Sequence, residues 1–400
     1  MLLLHNPVQT YAWGSVDGLA GLVGSEPTGG PEAELWVGTH PAAPSVVVGD
    51  PTGRTLAEVI AADPERWLGA DVAGAGATAL PFLLKVLAIG HPLSLQAHPS
   101  PAQAAAGFAR EEAAGIARTA PERTYKDPNP KPESLVALGD TWALCGFRDP
   151  AAAAELVADL CLPGLGPVVV ALSDPTPGGE PHREALAWLL HLVEPERSVL
   201  ARAVAEEVGD AELGDRTDPR AWVRRLAEEH PGDPLCLAPL LLHVVHLHVG
   251  DAVHLPAGNL HAYLDGAGVE LMAASDNVLR GGLTPKHIDV DELLSVLSFG
   301  AGLPPAPIRS EVGAGLTTYD SGESSYALAV VDACDGRVEI HPSGPSLLLA
   351  TGGAVELADL GGTLALDHGD AAFVAPGEGP IAVTGAGRLW WATVGAALPS

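Results

Sequence analysis

Four side chains in this 400-residue sequence have the types and spacing to share one metal ion. In Leu93-Ser94-Leu95-Gln96-Ala97-His98-Pro99, Gln96 and His98 stand at i and i+2. Alternate residues of a strand share a face, so both can reach the same ion. Glu133 closes the run Asp127-Pro128-Asn129-Pro130-Lys131-Pro132-Glu133. That run holds too much proline for a helix or a central strand and reads as a polar loop at the rim of a site. His261 ends the pattern Gly250-x5-Pro256-x-Gly258-x2-His261, which places an imidazole just after a strand and turn. A mixed oxygen and nitrogen set of this kind fits a catalytic Zn²⁺ with room for an exchangeable ligand. Spacing alone does not assign all four. Fifteen histidines are present, and His246 and His248 also stand at i and i+2.

The elements that must position these residues are mostly strands. Residues 1–100 are rich in Gly, Pro and short apolar runs such as Ser45–Val48. Two helices interrupt them: Asp63-Pro64 and Ser100-Pro101 each offer an N-cap followed by Pro at N1, the second before Ala-rich residues 102–118. From Asp149-Pro150 the texture becomes helical, with apolar positions at helical spacing over 183–207 and a further helix from Asp218-Pro219 to about His230. Strand character returns over Ala238–Leu255 and, apart from a short helix near Val290–Leu297, continues to the end. The expected organisation is a discontinuous β domain (1–148 with 233–304), a helical insertion (149–232) and a C-terminal β domain (305–400).

Composition narrows the partners. Acids number 50 and bases 21, a net charge of −29, with no basic stretch, which argues against nucleic acid or an anionic membrane surface. Only four bases are lysines, Lys85, Lys126, Lys131 and Lys286, and Asn occurs only at 6, 129, 259 and 277. In a chain so rich in Ala, Gly, Pro and Arg, this is the mark of a GC-rich genome, and a surviving Lys or Asn marks a position where Arg or Asp would not serve. The four cysteines lack metal-ligand spacing and read as buried small hydrophobes in a reducing cytosol. The start has neither a basic region nor a long apolar core, and no run approaches the ~18 residues of a spanning helix. A cytoplasmic protein is expected, with a monomer favoured.

The turn pattern before His261 resembles the second half-motif of the cupin double-stranded β-helix, with Asp265 where that motif closes on Asn. The pattern has an echo: Gly250-Asp251-Ala252 leads to Pro256, and Gly369-Asp370-Ala371 leads to Pro376. The echo lacks a histidine, with Pro380 near the corresponding place, so a second, metal-free cupin-type domain is expected.

Several ordered segments carry a wider resemblance: Gln9-Thr10-Tyr11-Ala12-Trp13-Gly14, Ala33 to Pro41, Leu80 to Leu87, Leu93 to Ser100, Tyr125 to Glu133, Leu255 to Leu264, and Ser275 to Lys286. Together they resemble the class I, zinc-dependent mannose-6-phosphate isomerases (phosphomannose isomerases) of the cupin superfamily. The resemblance implies a mainly β fold of two cupin-type jelly-roll domains plus a helical domain. It also implies one Zn²⁺ per chain, held by Gln96, His98, Glu133 and His261, and an active-site role for Arg280. The implied reaction interconverts mannose 6-phosphate and fructose 6-phosphate, feeding glycolysis or GDP-mannose synthesis.

That reaction moves a proton between C1 and C2 through an enediolate, which a Lewis acid stabilises. Two neutral imidazoles, one amide and one carboxylate leave a zinc site with formal charge +1, suited to an oxyanion. Glu270 and Lys131 are candidate proton carriers, with Glu270 expected on a strand neighbouring that of His261. Ring opening would fall to another group, such as His98 or Asp276. Arg280 would clamp the enediolate or the phosphate. Lys85, Ser94 and Lys286 are expected at the phosphate, with Tyr263 and Asp276 also binding the small-molecule sugar phosphate. Two alternatives are a non-catalytic sugar-phosphate-sensing cupin, against which Lys131, Glu133 and Arg280 speak, and an Fe²⁺ oxygenase, which a Gln ligand disfavours.

Overall fold

The cap chemistry sets the helices where the sequence places them. Asp63 accepts from the Arg66 amide at the start of Pro64–Leu68, and Ser100 with Gln103 forms a complete capping box for Pro101–Ala113. The computed structural model describes residues 1–173, 179–209 and 214–398. Residues 174–178 and 210–213 of the expected helical insertion lie outside it. The rest of that stretch folds into helices Pro150–Ala158, Gly166–Ser173, Pro181–Leu190, Glu196–Glu207 and Pro219–Glu229. Ala238–Leu241 is a helical turn rather than strand, because a short apolar run alone does not separate the two. Strand begins at Leu242. Among the described residues no helix is long and apolar enough to cross a membrane.

The chain is mostly β-sheet with some helices. A ten-stranded sheet holds all the strands around the candidate site. Its organiser is the long strand His261–Ala273, which pairs antiparallel with four others: Leu95–Ala97, Thr141–Phe147, Phe82–Ile89 and Glu133–Ala137. One strand can serve both groups of neighbours because it bends. The register with Thr141–Phe147 shifts between Tyr263 and Asp265, and Gly266 follows at φ 117°. A Cβ on Gly266 would meet the Asp140 carbonyl at 2.6 Å, so both its conformation and its space require glycine.

Strand pairing also crosses the expected boundary at residue 304. Leu2–His5 pairs with Ala371–Val374 and with Val46–Val47, so these N-terminal segments join the eight-stranded sheet of the C-terminal region. Four further strands form a second sheet there, and an apolar layer including Leu348, Val355, Leu357, Val383 and Trp391 fills the space between. The stretch expected as a helical insertion shares one core with the site-bearing strands, from Leu186, Trp222 and Leu226 to Leu95, Leu144 and Leu264. Its outer anchor is electrostatic. Arg216 and Arg225 each donate to one oxygen of Asp265, at 2.8 and 2.9 Å. Asp265 thereby acquires a role: it docks the insertion.

Candidate metal centre and cleft

The local fold brings His98, Glu133 and His261 together, with Gln96 beside His261. His261 opens the long strand, directly opposite Gln96. The Pro256-x-Gly258 turn before it is tied to the other imidazole segment, because the Gly258 amide donates to the His98 carbonyl at 2.8 Å. His98 follows the strand Leu95–Ala97 by one residue. Glu133 is not a rim loop residue. The proline-rich run ends at Pro132, and Glu133 is the first residue of a fully buried strand, 1% exposed.

Both imidazoles are oriented from behind. His98 Nδ1 donates to the Asn277 carbonyl at 2.8 Å and His261 Nδ1 to the Asn259 carbonyl at 3.0 Å. Their Nε2 lone pairs are therefore left facing Glu133 Oε2, at 3.3 and 3.5 Å. Burial pulls the His98 imidazole down to about 4, so it is a neutral donor of electrons at pH 7. Burial alone would raise the Glu133 carboxyl, but Lys131 and His98 outweigh it and hold it well below the usual range. His98 Nε2 and Glu133 Oε2 are buried without a hydrogen-bond partner. Two lone pairs converging on a carboxylate oxygen repel unless a cation sits among them, and the three ligand atoms lie within 4.8 Å of one another. Gln96 lies alongside, its amide 3.4 Å from His261 Nε2, and a half-turn of the carboxamide presents Oε1 there instead.

Two of the scarce residues build this frame. Asn277 accepts from the Lys126 amide at 2.7 Å and donates to the Asp127 and Asn129 carbonyls, each at 2.8 Å. It thus binds the proline-rich loop to the segment whose carbonyl aims His98. Lys131 Nζ donates to Glu133 Oε1 at 2.5 Å, fixing the carboxylate from its other oxygen.

Above the centre lies a cleft of about 600 Å³ whose lining includes Lys85, Ser94, Gln96, Lys131, Glu133, Tyr263, Glu270, Asp276, Arg280 and Lys286. A second cavity of about 460 Å³ adjoins it, sharing Asp276, Arg280 and Lys286 and adding Lys126. Lys126 Nζ is tied to the Arg118 and Ala120 carbonyls at 3.0 and 3.4 Å. Glu270 stands on the same strand as His261, not on a neighbour, since the bend at Gly266 brings it back over the site. It pairs in register with Lys85, whose Nζ is 3.0 Å from Glu270 and 3.6 Å from Glu34. Burial raises the Glu270 carboxyl above its ordinary value, against the pull of Lys85. Burial pulls the Lys85 ammonium down, but Glu270 and Glu34 more than reverse this. The Tyr263 hydroxyl is buried without a partner and stays neutral, its pKa raised by burial and then by Glu270.

Arg280 and Lys286 differ from the other two cleft cations. Among the described residues the Arg280 side chain donates only to Ser94 Oγ, at 3.4 Å, and neither cation has a carboxylate partner. Burial lowers the pKa of both, Lys286 being lowered further by Arg280. The cleft also holds residues to which sequence reasoning gave no role. Glu34 faces Lys85 and accepts from Trp36 Nε1 at 2.6 Å, and His40 Nε2 is 3.0 Å from Asp276. All three lie in the Ala33–Pro41 segment that carried part of the resemblance, which was the available signal.

Fold and centre together define a β-rich protein with a buried His98–Glu133–His261 cluster that could hold a metal ion, with Gln96 beside it, under a cleft that carries Lys85, Lys131, Arg280 and Lys286. The family profile of the type I phosphomannose isomerase catalytic domain matches residues 1–150. The chain is 38% identical to the mannose-6-phosphate isomerase of Escherichia coli (strain K12) over 97% of this chain and 98% of that one. It is 33% identical to that of Mus musculus over 87% and 86%. In structure it is similar to a variant of the Salmonella typhimurium phosphomannose isomerase, at TM-score 0.89 and 33% identity, covering 98% of this chain and 99% of that chain. A zinc-bound mannose 6-phosphate isomerase matches at TM-score 0.88 and 34% identity, with the same coverage. The chain belongs to the mannose-6-phosphate isomerase family.

Proposed function

We propose that this chain is a zinc-dependent aldose–ketose isomerase acting on mannose 6-phosphate and fructose 6-phosphate, with Gln96, His98, Glu133 and His261 holding the ion. The observation that carries the reading is the buried convergence of two imidazole lone pairs on the unpartnered Glu133 Oε2 at the floor of a cleft that also presents Arg280 and Lys286. Zn²⁺ held there would supply Lewis-acid stabilisation of the negative charge that develops when the proton is moved.

The other tasks fall to side chains. Glu270 is the proposed acceptor of the proton that moves between C1 and C2. It is a buried carboxylate whose raised pKa brings it nearer the working pH, and Lys85 fixes its position. Lys131 directs its ammonium at Glu133 and the reacting oxygens. The phosphate is assigned to Arg280, Lys286 and Ser94, because those two cations form no ion pair among the described residues. Lys85, expected at the phosphate from sequence, is better described as a positioning residue, since Glu34 and Glu270 already answer its charge. Asp276, paired with His40 in the cleft, is the group we propose for ring opening, because His98 is fully buried beside Glu133.

The frame we infer is two cupin-type barrels with the helical insertion between the halves of the first. The strand pairing of Leu2–His5 and Val46–Val47 favours counting those segments with the C-terminal barrel. Coupled detection of fructose 6-phosphate from mannose 6-phosphate tests the reading. Turnover is expected with metal-replete protein, and its absence there would favour the non-catalytic sensor instead.

A further inference from the structure

A second histidine pair, His246 and His248, lies outside the cleft. The strand Leu242–Leu247 runs antiparallel to Thr141–Phe147, with Trp142 opposite His246 and Thr141 opposite Leu247. Alternation puts the two histidines on one face, and the register brings the turn residue Asp140 beside His248. Asp140 Oδ1 is 3.1 Å from His246 Nε2 and 3.2 Å from His248 Nδ1, and the three potential ligand atoms lie within 4.8 Å of one another.

Each ligand is held in place by something other than an ion. His246 lies flat on Trp142, with ring centroids 4.1 Å apart and 4° between planes, and His248 stands edge-on to it at 4.2 Å. The Asp140 backbone is wedged against the bend at Gly266. Among the described residues, Asp140 forms ion pairs only with these two imidazoles. One oxygen between two imidazole nitrogens is met either by two N–H donors or by one cation in place of both protons.

We propose that Asp140, His246 and His248 form a second metal site, open to solvent, for a borderline divalent transition ion such as Zn²⁺ or Ni²⁺. Two nitrogens and one carboxylate oxygen select such ions over Mg²⁺ and Ca²⁺, and water completes the coordination. The ion clasps the turn before Thr141–Phe147 to the strand Leu242–Leu247. The first of these strands pairs with the long strand at His261. Occupancy therefore stabilises the sheet without entering the cleft, and the inference does not rest on the isomerase reading.

The test titrates the zinc-loaded protein with further Zn²⁺, and separately with Ni²⁺, by calorimetry, with thermal unfolding followed in parallel. One additional equivalent is expected, together with a rise in Tm. Asp140→Asn, His248→Ala and His246→Phe, the last keeping a ring on Trp142, should each weaken it by at least ~10-fold and abolish the Tm rise. Isomerase turnover should be unchanged in all three. No further equivalent in the parent protein, or one bound equally by the parent and the variants, would overturn the proposal.

Discussion

The two Gly-Asp-Ala turns of this chain can be compared atom by atom. At the first, Gly250 donates to the Ala137 carbonyl, Ala137 donates to the Asp251 carbonyl, and Asp251 Oδ2 accepts from the His248 amide. At the second, Gly369 donates to Ala350, Ala350 donates to Asp370, and Asp370 Oδ2 accepts from Asp367. The registers agree as well. Leu255 stands opposite Glu133 as Val374 stands opposite Ser346, and Glu270 opposite Leu135 as Trp391 opposite Leu348. One strand further, Lys85 faces Glu270 where Ala329 faces Trp391. The same frame thus carries Glu133, Glu270 and Lys85 in one region and Ser346, Trp391 and Ala329 in the other. In the second, the Trp391 indole fills the space and donates to Ser346 Oγ at 2.9 Å. Backbone and turn chemistry set the frame, and the inward side chains alone decide whether it encloses a charged centre or an apolar core.

Exchanging residues between the regions probes that claim. Glu133→Ser, the C-terminal choice, should abolish stoichiometric zinc and lower kcat by ~1000-fold or more, by metal analysis and coupled assay. A folded, zinc-retaining variant would break the correspondence. Glu270→Gln should keep its zinc and lose ~100-fold or more in kcat. Loss confined to KM would move the proton-transfer role elsewhere. Lys85→Ala, again the C-terminal choice, leaves two buried carboxylates uncompensated and should cost ~3–5 kcal/mol in denaturant unfolding. A cost near zero would mean the pair is not a fixed unit. Trp391→Phe should cost ~2 kcal/mol through the lost hydrogen bond to Ser346 and the space the smaller ring leaves, with zinc content and turnover unchanged.

How much of this was legible in the sequence follows from its physical range. Caps and turns are local, so Asp63, Ser100 and the Pro-x-Gly turn before His261 could be read directly. The i,i+2 spacing brought Gln96 and His98 together for the same reason. Glu133 was found, but its burial was not, because proline signals the loop and says nothing of the strand that starts at the next residue. Glu270 was placed on a separate strand, since a thirteen-residue strand crossing between neighbours depends on the space Gly266 finds beside Asp140. The Glu34–Lys85 and His40–Asp276 contacts arise from pairings made across long stretches of chain, which no local pattern encodes. The scarcity of Lys and Asn did point to the site, although two of the lysines neutralise carboxylates there and a third is bound to backbone carbonyls.

The central claim is that the His98–Glu133–His261 cluster is a zinc centre on which isomerisation depends. It is tested most directly by following coupled fructose 6-phosphate formation through chelation and Zn²⁺ re-addition, with metal content measured at each stage. The account predicts that activity falls in step with zinc and returns fully with one equivalent per chain. Full turnover in protein shown to be free of metal would contradict it.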